Sequence, residues 1–398
     1  MRPTALLVAA ALIGFGAAGA QANPDHYLFV VGGVTTSDDM NVIPDGIDND
    51  LDERDQRNLR SVLVADVDTD AKTVTNWRRA GLLPLIHPTN DGDLHWNYLH
   101  SQVTYLDGRI YVGPATIFST ASDLDPTTAN FVAWAEVNTD GSLGDFQMSD
   151  PFPEPPSTNQ RIGGQAIVEV DGTNYIYVLG GSQDEEGFSD RILYAAIDGS
   201  TGAVGAWSTA SITIPTTDWF NPAIGIDGTL IHISGNLRGG MFVDLITPQA
   251  NGDLVGDWIS EQYSTALTNS WEEGVAAVTD PLGDTYLYIV AGSPAPRDRY
   301  YYTSFEFGLT GVWESGTLPA ERGRTTAAAA NDMIVLPGGS TGSGFGDGVN
   351  TVFIGTIAEG GAVTWEESPE PMMQARSFHG SAMAPVEDEV SVPEWMLY

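Results

Sequence analysis

The chain has 398 residues, with 16 Lys and Arg against 53 Asp and Glu and a formal charge of -37 at pH 7. A surface this acidic repels phosphate backbones and anionic lipid headgroups, which argues against nucleic acid or a membrane surface as the partner. There is no cysteine, so disulfides, thiolate catalysis and cysteine-ligated metals are excluded.

Residues 1–22 begin with Met1-Arg2, continue through an apolar run from Ala5 to Ala18, and end in small residues at Ala20 and Ala22. This pattern predicts a signal peptide cleaved after Ala22, and hence a secreted chain with no membrane span left after cleavage. As a membrane anchor the run is too short, since a bilayer span needs ~20 apolar residues.

The first structural unit follows. Tyr27–Gly33 is an unbroken apolar run stopped by two glycines, the pattern of a strand buried on both faces. Next comes an acidic loop with carboxylates at Asp45, Asp48, Asp50, Asp52 and Asp55. Alternating carboxylates can wrap hard oxygen ligands around one ion, which predicts Ca²⁺. Against that, Glu53 stands where an EF-hand turn wants glycine and the distal bidentate glutamate is absent, and a solvated acidic loop is the competing reading. A second apolar run, Ser61–Asp68, leads to a turn, an aromatic anchor at Trp77 and a Leu83-Pro84 exit.

The unit recurs. Glycine-ended apolar runs return at Arg109–Gly113, Tyr175–Gly181, Leu230–Gly235, Tyr286–Gly292 and Met333–Gly339. The anchors Trp77, Phe146, Trp207, Trp258, Trp313 and Trp365 are separated by 69, 61, 51, 55 and 52 residues. Blade-length repeats of short strands predict an all-β, six-bladed β-propeller of four-stranded blades. A fourth strand per unit is expected at Asn97–Tyr105, Gly163–Val170, Pro222–Ile226, Gly274–Val278, Thr325–Ala330 and Phe378–Ala384. The last has no glycine strand after it. Its natural partner is Tyr27–Gly33, and that pairing closes the ring and removes a sheet edge. The propeller then spans 23–385, and 386–398 form an acidic tail.

The apolar-Gly-Gly strands, the Gly-x-Trp anchors, the Leu-Pro exits and the following arginines (Arg322-Gly-Arg324, Arg376-Ser-Phe-His379) resemble kelch repeats of bacterial extracellular proteins across residues 27–384. Gly113 and Gly235 stand alone and Phe146 replaces tryptophan, so the second and fourth units depart from the pattern. The resemblance implies a propeller and leaves activity open, because propellers host unrelated functions. The copper-radical oxidases of that family depend on a cysteine–tyrosine crosslink, which this chain cannot form. The family also includes a six-bladed sialic-acid mutarotase. Glu272 or Glu273, with Arg324 or Arg376, would be the candidates for a comparable acid–base pair.

In kelch-like propellers, residues just before the innermost strand rim the channel. Here they include His95, Trp96, Tyr98, Arg161, Trp219, Asn221, Trp271, Glu272, Arg324, Arg376 and His379. Aromatic faces beside Arg, Asn and Glu suit a sugar ring, although the same side chains would also serve to fix inter-blade turns. The expectation is a secreted propeller that recognises an extracellular glycan or protein on the channel face, with structural calcium. The alternative is a carbohydrate-active enzyme of epimerase, mutarotase or lyase type using the same face.

Overall fold

Every glycine-ended run forms the second strand of a four-stranded antiparallel sheet, and there are six such sheets. The computed structural model describes residues 24–35, 57–84, 94–97, 102–113, 116–119, 131–153, 163–183, 187–216, 222–234, 240–264, 273–292, 297–306, 308–309, 311–342 and 347–386. Among these there is no helix, and so none long and apolar enough to cross a membrane. From the inner strand outward, blade 1 is Gly380–Pro385, His26–Val31, Ser61–Asp68 and Thr73–Leu82. Blade 2 is Val103–Leu106, Arg109–Val112, Ala133–Glu136 and Gln147–Met148, and blade 3 is Gly164–Val170, Thr173–Leu179, Ile192–Ala196 and Ser208–Thr209. Blade 4 is Ala223–Ile226, Thr229–Ser234, Met241–Ile246 and Ile259–Ser264. Blade 5 is Gly274–Thr279, Thr285–Val290, Arg297–Ser304 and Glu314–Arg322, and blade 6 is Ala328–Ala330, Met333–Pro337, Val352–Ile357 and Val363–Glu367. Each inner strand lies beside the inner strands of both neighbouring blades, so the six form a closed ring.

The core is divided among the blade junctions. Leu28 and Val30 pack against Met333, Val335 and Ile354 of blade 6, whereas Tyr27, Phe29 and Val31 pack against Ile110 and Val112 of blade 2. Successive strand residues point to opposite faces, so each strand feeds two apolar slabs. That is why the runs are apolar throughout and show no alternation.

Polar side chains tie the junctions in both directions. Tyrosines on second strands donate to turn carbonyls of the next blade: Tyr27 to Thr139 (2.6 Å), Tyr111 to Gly202 (2.9 Å), Tyr177 to Gly252 (2.7 Å) and Tyr288 to Gly361 (2.7 Å). The anchor indoles reach the preceding blade, from Trp207 to the Asp150 carbonyl (3.1 Å), Trp258 to the Thr213 carbonyl (2.9 Å) and Trp313 to Glu261 Oε1 (2.6 Å). Gly361 shows why its turn needs glycine. Its φ is +83° and an added Cβ would sit 2.6 Å from the Tyr286 ring, a conformation and a space that suit only glycine. Tyr288→Phe removes one such tie and leaves the buried Gly361 carbonyl without its donor. It is expected to cost about 1–2 kcal/mol in urea denaturation, with unchanged circular dichroism.

Ring closure is as expected from sequence. His26–Val31 pairs antiparallel with Gly380–Pro385, from His26 opposite Pro385 to Val31 opposite Gly380. One expected strand differs. Only Val103–Leu106 joins blade 2, while Leu94–Asn97 pairs with Thr116–Ser119 in a separate two-stranded ladder. Gln102 marks the break, its backbone carbonyl accepting from Gly113 N–H (2.8 Å) where the inner strand begins.

Candidate functional site

The inner strands enclose a central cavity of about 430 Å³ lined by residues of all six blades. Its walls are small and aliphatic, with Ala166, Ala223, Ala276, Ala328 and Ala382 among them. Polar groups line both ends: Gln102, Gln165, Glu273, Thr326 and Ser381 at the mouth where the inner strands start, and Glu169 and Asn174 at the far end. Small residues keep the channel open, and the strand starts supply the polar rim because there the chain leaves the ladder.

Two networks organise this mouth. Gln102 Oε1 accepts from the backbone N–H of Gln165 (2.8 Å) and from that of Ala223 (3.1 Å), so one side chain of blade 2 bridges blades 3 and 4. Gln165, 1% exposed, donates through Nε2 to the Tyr111 carbonyl (3.0 Å) and to Thr104 Oγ1 (3.3 Å). Across the channel, Thr326 Oγ1 and Ser381 Oγ share a hydrogen bond of 2.7 Å, and Thr326 Oγ1 lies 3.4 Å from His379 Nδ1. Burial, reinforced by the Arg376 charge, pushes the His379 imidazole down to about 4, so it is neutral at pH 7. At the junction of blades 4 and 5, Glu273 is buried against the cavity. Burial, with the Glu273 charge added to it, holds the Tyr263 phenol well above its ordinary range and Arg297 opposes, so the phenol keeps its proton.

Besides Glu273, three of the residues singled out from sequence are placed in detail. Arg376 is 0% exposed and donates to the carbonyls of Gly32 (3.0 Å) and Ser61 (2.8 Å), to Ser61 Oγ (2.5 Å) and to Gln374 Oε1 (3.2 Å). That makes it a closure clamp beneath the mouth. Arg324, at φ +53°, stacks over the Phe378 ring at 4.5 Å, and Phe378 itself sits at φ +59°. Left-handed conformations at two adjoining non-glycine residues are strain of the kind that collects at functional faces. His379 is buried behind Thr326. His95 and Trp96 lie on the two-stranded ladder. Tyr98, Arg161, Trp219, Asn221, Trp271 and Glu272 lie outside the described residues, as do Asp45, Asp48, Asp50, Asp52 and Asp55 of the acidic loop. Among the described residues no group of three metal-capable side chains occurs. Sequence reasoning missed Gln102, Gln165, Thr326 and Ser381. Their only sequence signal is position at the start of an inner strand.

No family model matches the chain, and a search of the curated proteins finds no match. Among solved structures the chain is similar to the structure of YjhT, at 14% identity and a TM-score of 0.47, covering 77% of this chain and 91% of that one. The six-bladed assignment rests on the strand pairing of the chain itself.

Proposed function

We propose that this chain is a binding propeller that takes a carbohydrate at the channel mouth. One observation carries the reading: Gln102, Gln165, Glu273, Thr326 and Ser381 stand where the inner strands start, at one end of a cavity of about 430 Å³ whose walls are mostly alanine and aliphatic. A sugar presents hydroxyls and apolar CH faces together, and this lining offers partners for both. Recognition of a protein segment is the competing form of the same role. Secretion by the leading segment, and a calcium ion held by Asp45, Asp48, Asp50, Asp52 and Asp55, belong to the reading as proposals.

A glycan-array screen of residues 23–398, run with Ca²⁺ and with chelator, tests it. The expected result is selective binding that Glu273→Gln weakens about tenfold or more, as loss of a charged hydrogen-bond partner should. No binding to any glycan in either buffer overturns the carbohydrate reading, and a melting temperature indifferent to chelator removes the calcium. A carbohydrate-active enzyme is the second reading, favoured by the carboxylate of Glu273 beside a phenol, Tyr263, that stays protonated. A neighbouring carboxyl group and phenol are the side-chain types that acid–base chemistry on a sugar needs. On that reading Glu273→Gln abolishes turnover of a bound sugar while binding persists.

A further inference from the structure

Two backbone N–H groups from different blades converge on one oxygen at the channel mouth. They belong to Gln165, at the start of the blade 3 inner strand, and Ala223, at the start of the blade 4 inner strand, lying 2.8 and 3.1 Å from Gln102 Oε1. An inner strand is an edge strand on its axial side, so its N–H groups there need an acceptor from outside the sheet. Each partner of the Gln102 amide atom is a donor, which fixes that atom as the oxygen. Fixed backbone donors meeting at one point are the arrangement that holds a carbonyl or oxyanion oxygen. Nothing in the blade ladders requires Gln102 to fill it.

We propose that this donor pair is the anchoring subsite of the channel, with the Gln102 carboxamide an internal stand-in that a ligand amide carbonyl displaces. The occupant is the acetamido group of a neutral N-acetylated sugar, a step that rests on the carbohydrate reading above. The stand-in is itself a neutral carboxamide, so the subsite already accepts that oxygen. A carboxylate is disfavoured by charge, because the charged side chains lining the cavity among the described residues are Glu169 and Glu273, and like charges in a partly desolvated space repel strongly. Gln102 competes with the ligand from within, so the apparent affinity of the native chain is reduced by the fraction of molecules whose donor pair is open.

Amide NMR shifts of Gln165 and Ala223 decide the matter. In Gln102→Ala, N-methylacetamide and N-acetylglucosamine are expected to move both signals. N-Acetylglucosamine should bind this variant at least tenfold more tightly than the native chain. It should also bind at least tenfold more tightly than glucose, with glucuronate weakest. Native protein titrated to higher N-methylacetamide should show the same two shifts, so the test stands even if the variant folds poorly. Shifts that stay put with N-methylacetamide in both proteins overturn the subsite. Movement with N-methylacetamide but with no sugar overturns the carbohydrate assignment and leaves the donor pair standing. Tighter binding of glucuronate than of N-acetylglucosamine overturns the preference for a neutral amide.

Discussion

Arg376→Ala is expected to destabilise the ring by about 4 kcal/mol or more, a larger loss than removal of any one inter-blade tyrosine hydroxyl. The side chain is 0% exposed, and its guanidinium donates to Gly32 and Ser61 on the first blade from a position just ahead of the closing strand. Truncation removes charge-assisted hydrogen bonds, leaves the buried Gly32 carbonyl without its donor and opens a cavity the size of a long side chain. Arg376→Lys keeps the charge but loses the planar fork that reaches several acceptors at once, so it should recover less than half of the loss. Chemical denaturation of the three proteins measures this. A loss below about 1 kcal/mol for Arg376→Ala would mean that the strand ladder alone holds the ring closed.

The second large effect is one of pH. His379 titrates at 6.5 in an ordinary setting and at about 4 in the folded chain, first because it is buried and then because Arg376 is close. Between those values the unfolded chain binds a proton that the folded chain refuses. Unfolding therefore takes up protons, and stability rises with pH across this window. The contribution is complete above pH 6.5 and is lost as pH falls to about 4, amounting to about 3 kcal/mol. Carboxylates titrate nearby, so the comparison is with His379→Gln, which carries no proton to refuse. Native protein should lose about 3 kcal/mol more than this variant between pH 6.5 and 4. Parallel pH profiles for the two would refute the assignment.

Much of the ring was legible because it rests on local chemistry. An apolar run that feeds two slabs cannot alternate, and glycine suits the residue after it where the chain turns at positive φ, as at Gly180 and Gly338. The closing pair could be read because Phe378–Ala384 stands as a fourth strand with no glycine-ended strand after it. The anchors pack between blades, and the indole of Trp207 meets Phe152 of the preceding blade edge-on at 4.7 Å. The mouth was far less legible. Gln102 gains its meaning from N–H groups 63 and 121 residues away, and no local pattern encodes such a meeting. Arg376 stood in a suggestive position, but its partners lie 315 and 344 residues earlier in the chain. Their approach exists only once the ring has closed.

That closure has a mechanical consequence. His26 is paired with Pro385, and Val386 N–H bonds to the Asp25 carbonyl at 2.9 Å, so both ends of the chain leave the ring at the same corner. Tension applied between them would load the seam one hydrogen bond at a time, like a zipper drawn from its open end, and would not shear the whole ladder together. The ring can thus be peeled open within blade 1 by a pull along its own chain, whereas force applied across a pair of neighbouring blades meets a full junction at once.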